Sequence, residues 1–336
     1  MFDILKELCS IDGTSSDEEN VRDFIIKSID GFCDYSVDAL SNIIAFKKGK
    51  KHSQKKLLVD AHTDEVGLII TAVTPDGFLK FKCVGSIDTS VLLAKRVKIN
   101  GKIFGVIGLK PIHLAKGDEE HKLPSFDSLY IDIGAKNRND ALETVMPGDR
   151  AVVCSSYTEQ EDKILSKALD DRIGCAILIT LLREESEYDF YASFSSAEEV
   201  GVRGATVSAF SVSPEAAIVL EGTTAADIAG VPNEKRVCAL GKGTAVSFMD
   251  KGTVYDRNLY NKALSSGISC QTKCAVSGGN NSSAVHLSGK GVKTIALSVP
   301  CRYIHSESSV ADKKDITATY ELAKYMINCI CGGEAE

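Results

Sequence analysis

Four stretches of the chain set an apolar run directly ahead of groups able to bind a cation or move a proton. Leu57-Leu58-Val59 runs into Asp60-Ala61-His62-Thr63-Asp64-Glu65, and Tyr191 to Ser195 into Ala197-Glu198-Glu199. Ala216 to Leu220 runs into Glu221, and Thr294 to Val299 towards His305. A fifth group, Asp170-Asp171, opens the apolar stretch Ile173 to Leu182. Two imidazoles and several carboxylates without thiolates form a donor set suited to a hydrolytic Zn²⁺, Co²⁺ or Mn²⁺ centre. Enough are present for two ions roughly 3.5–4 Å apart that share one carboxylate.

Taken singly, each residue has a plainer reading. Asp170 or Asp171 suits a helix cap, His62 suits a satisfied core histidine, and Glu198-Glu199 suits a solvated turn. His62 and Asp64 project to one side of an extended segment, which lets a carboxylate orient a ligating imidazole. The joint pattern decides. In open α/β sheets ligands bind at the carboxyl ends of strands, so residues distant in sequence can converge there.

The elements that must position them change texture twice along the chain. Residues 1–66 read as helix, helix, strand, strand, with Ser15 and Ser16 ahead of Asp17-Glu18-Glu19 as a cap-like helix start. From Gly67 to about Leu165 helical periodicity disappears, and Pro75-Asp76-Gly77 and Asn100-Gly101 mark hairpins. From Asp170 onward α/β alternation resumes, ending in a helix from about Asp315 to Ile330. This predicts an α/β domain of residues 1–66 and 166–336, interrupted by a small β-barrel over 67–165.

Composition narrows the function class. Thirty-nine Lys and Arg against 46 Asp and Glu leave a net charge of −7, so no basic field favours nucleic acid as a partner. Eleven cysteines without a C-x-x-C spacing, and an N-terminus without a signal-like apolar stretch, predict reduced thiols and a cytoplasmic protein rather than a secreted or membrane one. Gly241-Lys242-Gly243-Thr244 and Gly278-Gly279 fit no phosphate-loop pattern and read as turns. The nucleophile elbow and H-E-x-x-H are absent. Asp118-Glu119-Glu120-His121 reads as a solvated loop, and Cys301, near His305 in sequence, as a buried thiol.

With these residues in view, the chain resembles the tetrahedral aminopeptidases, dinuclear-metal exopeptidases that include glutamyl and deblocking aminopeptidases. The resemblance runs the whole length. It rests on Asp60 to Gly67, Ala168-Leu169-Asp170-Asp171-Arg172-Ile173-Gly174, Ala197 to Gly201, Glu221 to Asp227 and Arg302 to Ser306, in this order and with the β insertion after the first. It implies a three-layer α/β/α dimetal exopeptidase core, with Asp170 bridging the ions, His62 and Glu221 completing one site, and Glu199 and His305 the other. It also implies that Asp64 supports His62, that Glu198 is the general base acting on water activated by two Zn or Co ions, and that short peptides are the substrate. The barrel is implied to mediate dimerisation, and the dimers to form a dodecamer. Two departures stand out: Glu221 where many relatives have Asp, and Ser277-Gly278-Gly279-Asn280-Asn281-Ser282 where Gly-Gly-Thr-Asp is usual. A deacylase or other amidohydrolase on the same scaffold, and a non-catalytic peptide-binding oligomer, are the alternatives. Lys251, Arg257 and Arg302 are cations able to attract acidic peptide ends, the first two reading more simply as surface residues.

Overall fold

The computed structural model describes residues 1–110, 123–276 and 278–334. Asp118-Glu119-Glu120-His121 and Ser277 lie outside the described residues. Helices α1 (Phe2–Ser10) and α2 (Glu19–Ile29) lead into strands β1 (Asp34–Val37), β2 (Ile43–Lys47) and β3 (Leu57–His62). β3 is buried along its whole length, and its side chains alternate between two cores. Leu57, Val59 and Ala61 join the larger one, Leu58 the smaller one across the sheet. The same period sets Asp60 and His62 in phase with Leu58.

A closed barrel follows, built from β4 (Gly67–Val73), β5 (Leu79–Val84), β6 (Arg96–Ile99), β7 (Ile103–Gly108), β8 (Tyr130–Asp132) and β9 (Arg150–Val153) in the order β4-β5-β8-β7-β6-β9. Leu68, Ile70, Leu79, Val97, Ile107 and Ile131 fill its own core, beside a short helix α3 (Arg138–Leu142). The β6–β7 connection closes with Lys102 N–H donating to Ile99 O at 3.0 Å, and Asn100 and Gly101 both take positive φ, 48° and 70°. Those angles are the type I′ turn that Asn-Gly favours.

Beyond Val153 the chain rejoins the main sheet through β10 (Thr158–Gln160) and β11 (Lys163–Ser166), ahead of residue 166. Next come α4 (Leu169–Arg183), β12 (Phe190–Ser195), α5 (Arg203–Val212), β13 (Ala216–Thr224), β14 (Thr244–Val246), α6 (Arg257–Leu264) and β15 (Cys270–Thr272). The last elements are α7 (Ser282–Val285), β16 (Lys293–Arg302), β17 (Ser309–Asp312) and α8 (Lys313–Cys331). The sheet order is β1-β2-β12-β3-β13-β16-β17-β11-β10, with β14 and β15 set off β16. α1, α4 and α8 cover one face, α5 and α7 the other, giving the three-layer α/β/α core. β12, β3, β13 and β16 run parallel, so their carboxyl ends share one edge. Among the described residues, no helix is long and apolar enough to cross a membrane, and the eleven cysteines are unpaired.

α4 is apolar nearly all round, as a helix buried between sheet and outer helices must be. It carries one buried cation. Arg172 is wholly inaccessible, donates to Leu8 O at 2.6 Å and Ile11 O at 3.3 Å, and stands 3.6 Å from Glu65 Oε1. That oxygen also accepts from Lys167 Nζ at 2.5 Å and from the Gly13 N–H at 3.0 Å. Arg172→Met nearly keeps the volume but takes the guanidinium donor from the Leu8 and Ile11 carbonyls, leaving them only the Ile11 N–H at 3.3 Å and Lys167 Nζ at 3.5 Å, and leaves Glu65 with one cation fewer. The expected loss is about 3 kcal/mol, read as a fall in the urea midpoint; a midpoint within error of the parent would refute this account of the junction.

Candidate active site

The shared edge of β3, β12, β13 and β16 gathers seven predicted residues. Asp60 sits beneath them, fully buried, and accepts from Ser193 Oγ, Ser195 Oγ and, at 2.7 Å, Asn281 Nδ2. His62 follows at the end of β3, with Nε2 3.4 Å from Asp170 Oδ1 and 3.7 Å from Glu221 Oε2. His305, on the loop beyond β16, sets Nε2 3.2 Å from Glu199 Oε1 and 3.7 Å from Asp170 Oδ2. The two oxygens of Asp170 therefore face different imidazoles.

The choice between cap and site at Asp170-Asp171 is settled by which carboxylate is engaged. Regular helical dihedrals begin only after Asp171, whose Oδ1 accepts the Gly174 N–H at 2.9 Å, the bond an N-cap makes. Its Oδ2 receives the His62 N–H at 3.3 Å. Asp171 caps; Asp170 points into the site with Oδ1 buried and without a hydrogen bond. Two glycines make the room: a Cβ at Gly174 would lie 2.3 Å from Asp171 Oδ2, and one at Gly222 would lie 3.0 Å from Asp170 Cα.

Asp64 holds both sides of the site. Its Oδ1 is 3.3 Å from His62 Nδ1 and accepts the Glu198 N–H at 2.9 Å, while Oδ2 accepts the Glu199 N–H at 3.1 Å and Ser15 Oγ at 2.6 Å. Burial favours its neutral form, but the bonds from His62, Ser15 and the Glu198 N–H outweigh burial and hold the carboxyl below its ordinary range. Glu18 was expected only as part of a helix cap. Instead its carboxylate accepts the Ala197 N–H at 2.9 Å and braces the same turn. Ala197 and His305 both take positive φ, 53° and 59°, a strained conformation that packing must hold.

The donor set fits a divalent cation. Ligands at about 2.0–2.2 Å and tetrahedral angles stand roughly 3.3–3.6 Å apart, and the four imidazole–carboxylate gaps run from 3.2 to 3.7 Å. One ligand atom each from His62, Asp170 and Glu199 fall within 4.8 Å of one another, as do those of Asp170, Asp171 and Glu221. Glu221 Oε1 is buried and without a hydrogen bond. Without cations, protons fill the charge deficit. Burial raises Glu221 and Glu199, and it raises Glu198 to about 8 with help from neighbouring carboxylates. His305, despite burial, rises to about 11 through Asp170 and Glu199. Cation binding must expel these protons, so apparent affinity should rise with pH and uptake should release more than one proton per chain. Calorimetry in buffers of different ionisation enthalpy measures this; uptake without proton release contradicts it.

A cavity of about 300 Å³ opens from this cluster, walled by Thr223, Thr224, Val237, Lys273, Gly278 to Asn280 and Ser298. Asn281, part of the departure from Gly-Gly-Thr-Asp, faces Asp60 below the cavity rather than the cavity itself. Of the cations weighed from sequence, Lys251 and Arg257 are exposed. Arg302 is bound to Asp227 through Nε at 2.7 Å and Nη2 at 2.8 Å. Lys273 carries no sequence signal, since its neighbours Thr272 and Cys274 form no motif, and only the fold brings it here. Cys301 is fully buried, its thiol pushed well above the ordinary range by burial, so it is no nucleophile.

Comparison with known proteins matches this architecture. The chain is 35% identical to a putative aminopeptidase of Acetivibrio thermocellus, covering 98% of both chains. It is 30% identical to the lysyl aminopeptidase of Pyrococcus furiosus, over 97% of this chain and 96% of that one. The solved structure of the Pyrococcus horikoshii TET1 peptidase, which can assemble into a tetrahedron or a large octahedral shell, superposes with a TM-score of 0.84 at 32% identity, covering 96% and 98%. The sequence model described as M42 glutamyl aminopeptidase matches residues 41–322. That span contains every strand end just described, and with full-length relatives on either side of it the chain belongs to the M42 glutamyl aminopeptidase family of peptide hydrolases.

Proposed function

We propose that this aminopeptidase removes the N-terminal residue of short peptides at a two-cation centre held by His62, Asp170, Glu199, Glu221 and His305. The observation that carries the reading is Asp170, whose two oxygens face His62 and His305 separately, Oδ1 at 3.4 Å from His62 Nε2 and Oδ2 at 3.7 Å from His305 Nε2. Zn or Co ions, when bound, supply Lewis-acid polarisation of the scissile carbonyl and a water acidic enough to attack near neutral pH. Glu198, which lines the cavity, takes the proton of the attacking water and returns it to the leaving amine. Its high proton affinity, set by burial and by Glu199, Asp170 and Asp64, falls towards neutrality as positive charge enters the site. Asp64 keeps the His62 ring in place from Nδ1 and fixes the turn that carries Glu198 and Glu199.

The barrel, strands β4 to β9 of the inserted 67–165 segment, serves as a dimerisation domain, and dimers assemble into a closed dodecamer in a cytoplasmic setting. Support for assembly comes from the TET1 neighbour and from Phe104, Val106 and Met146, apolar side chains exposed on the barrel segment. The decisive experiment incubates metal-stripped protein with free and N-acetylated peptides, with and without Zn²⁺ or Co²⁺, and reads the products by mass spectrometry. Stepwise, metal-dependent loss of N-terminal residues from the free peptides is expected. Release of the acetyl group instead would make the protein a deacylase, and no product under any condition would make it a peptide-binding oligomer.

A further inference from the structure

One wall of the cavity beside the catalytic cluster is Gly278, Gly279 and Asn280. A Cβ at either glycine would meet nothing within 4 Å, and Gly278 takes a φ of +65°. These two residues bring no side chain to hold them, and ordering glycine costs more conformational entropy than ordering any other residue. The position of the wall is therefore set by the residues that follow it.

Asn280 lines the cavity and donates from Nδ2 to Tyr255 Oη at 3.1 Å. Asn281 is wholly buried at the N-cap of α7. Asparagine is favoured there because its side chain can accept a helix N–H, yet Asn281 makes no such bond. Its Nδ2 donates instead to Asp60 Oδ2 at 2.7 Å, across 221 residues of chain. Asp60 is fixed in turn by Ser193 and Ser195 of β12, both donating to its Oδ1. Among the described residues, Asp60 neither lines the cavity nor enters a ligand group that could hold an ion. The spacing fits the seat. The Val285 N–H donates to Asn281 O at 3.0 Å, so the two residues lie one helical turn apart, about 6 Å. Leu58 and Asp60 lie two residues of strand apart, about 6.6 Å. Leu58 and Val285 share the smaller core, which leaves Asn281 and Asp60 as the polar end of the same packing.

We infer that Asp60 and Asn281 are a positioning pair for the peptide substrate: their bond holds the Gly278–Asn280 wall over the carboxyl end of β3 and keeps the cavity in the shape a peptide end fits. Neither residue touches the peptide; both act through the wall. The inference rests on the aminopeptidase reading above. The amide is required at 281, because a carboxylate there would meet that of Asp60 in a buried contact with no cation between them. Swapping the two groups preserves the bond. An amide at 60 keeps its oxygen for Ser193 and Ser195 and turns its N–H₂ towards a carboxylate at 281.

The test compares Asn281→Asp and the swapped pair Asp60→Asn/Asn281→Asp with the metal-loaded parent, on the peptide that the parent trims fastest. Asn281→Asp should raise KM about 10-fold, with kcat within about threefold and cation content unchanged. The swapped pair should bring KM back to within about twofold of the parent. A loss of folded protein alone would lower apparent kcat and leave KM where it was, so it cannot imitate this split. Hydrogen exchange over residues 278–285, read by mass spectrometry without substrate, should quicken about 10-fold in Asn281→Asp and recover in the swapped pair. A parental KM in Asn281→Asp, a swapped pair that folds yet keeps the raised KM, or a loss of cations overturns the inference and leaves the aminopeptidase standing. Should the parent trim no peptide while hydrogen exchange quickens and recovers as described, the aminopeptidase reading falls and the pair stands as the clamp of a binding cavity.

Discussion

Glu198→Gln is expected to lower kcat by about 10²- to 10⁴-fold while leaving cation content and assembly unchanged. Glu198 enters neither of the ligand groups that could hold an ion. Its side chain makes no hydrogen bond or ion pair among the described residues, and its backbone N–H to Asp64 is indifferent to the change. The amide isostere therefore removes basicity and little else. The metal-free protein offers a second readout. Glu198 has its pKa raised from 4.5 to about 8, so between those values the native state holds a proton that the unfolded chain has released. Stability of the parent must fall as pH rises through that window, at up to roughly 1.4 kcal/mol per unit. Gln does not titrate, so metal-free Glu198→Gln should become progressively more stable than the parent from about pH 5 to 8, with no difference in acid. A variant that keeps a tenth or more of the parent kcat, or one that loses its cations, would remove Glu198 from the role of base.

How far the chain could be read without coordinates depends on the range of the interaction concerned. The β6–β7 hairpin was legible because Asn100 and Gly101 alone determine whether the left-handed turn forms. α4 was legible because its apolar residues leave a helix nowhere to go but the interior. The convergence of His62, Glu198, Glu221 and His305 followed from their place after strands that prove to be parallel neighbours. The readings that changed concern residues whose partners lie far away. Ser15 and Ser16 were expected to cap α2, but α2 begins at Glu19 without a side-chain cap, and Ser15 Oγ donates to Asp64, 49 residues on. A local window favours the cap because the nearest orphan N–H groups are the helix's own. It cannot register that a buried carboxylate needs the hydroxyl more. Lys273 escaped for the same reason: what puts it on the cavity wall is the fold and not its neighbours in the chain. At Asp170-Asp171 the sequence admits either residue as the cap, and only the bond from the Gly174 N–H to Asp171 separates them.

That separation makes Asp170→Asn the most demanding substitution for the two-cation reading. Among the described residues Asp170 is the one carboxylate that faces both imidazoles, and those imidazoles hold it below the ordinary range against the effect of burial. Asn keeps the volume but offers a neutral oxygen to one neighbour and an N–H donor to the other. The expected result is a fall from two cations per chain to one or fewer, measured by elemental analysis after gel filtration, and a loss of kcat of about 10³-fold or more, some 4 kcal/mol of transition-state stabilisation. The sign on stability is opposite to that at Glu198. A depressed carboxyl stabilises the fold above its ordinary pKa of 3.8 and loses that contribution as pH falls. The metal-free variant should therefore be less stable than the parent at neutral pH and converge with it in acid. Together the two variants separate chemistry from ligation, because Glu198→Gln should be inactive with its cations in place and Asp170→Asn inactive for want of them. Should Asp170→Asn retain two cations and a near-parental rate, the shared carboxylate, and with it the two-cation centre, would have to be abandoned.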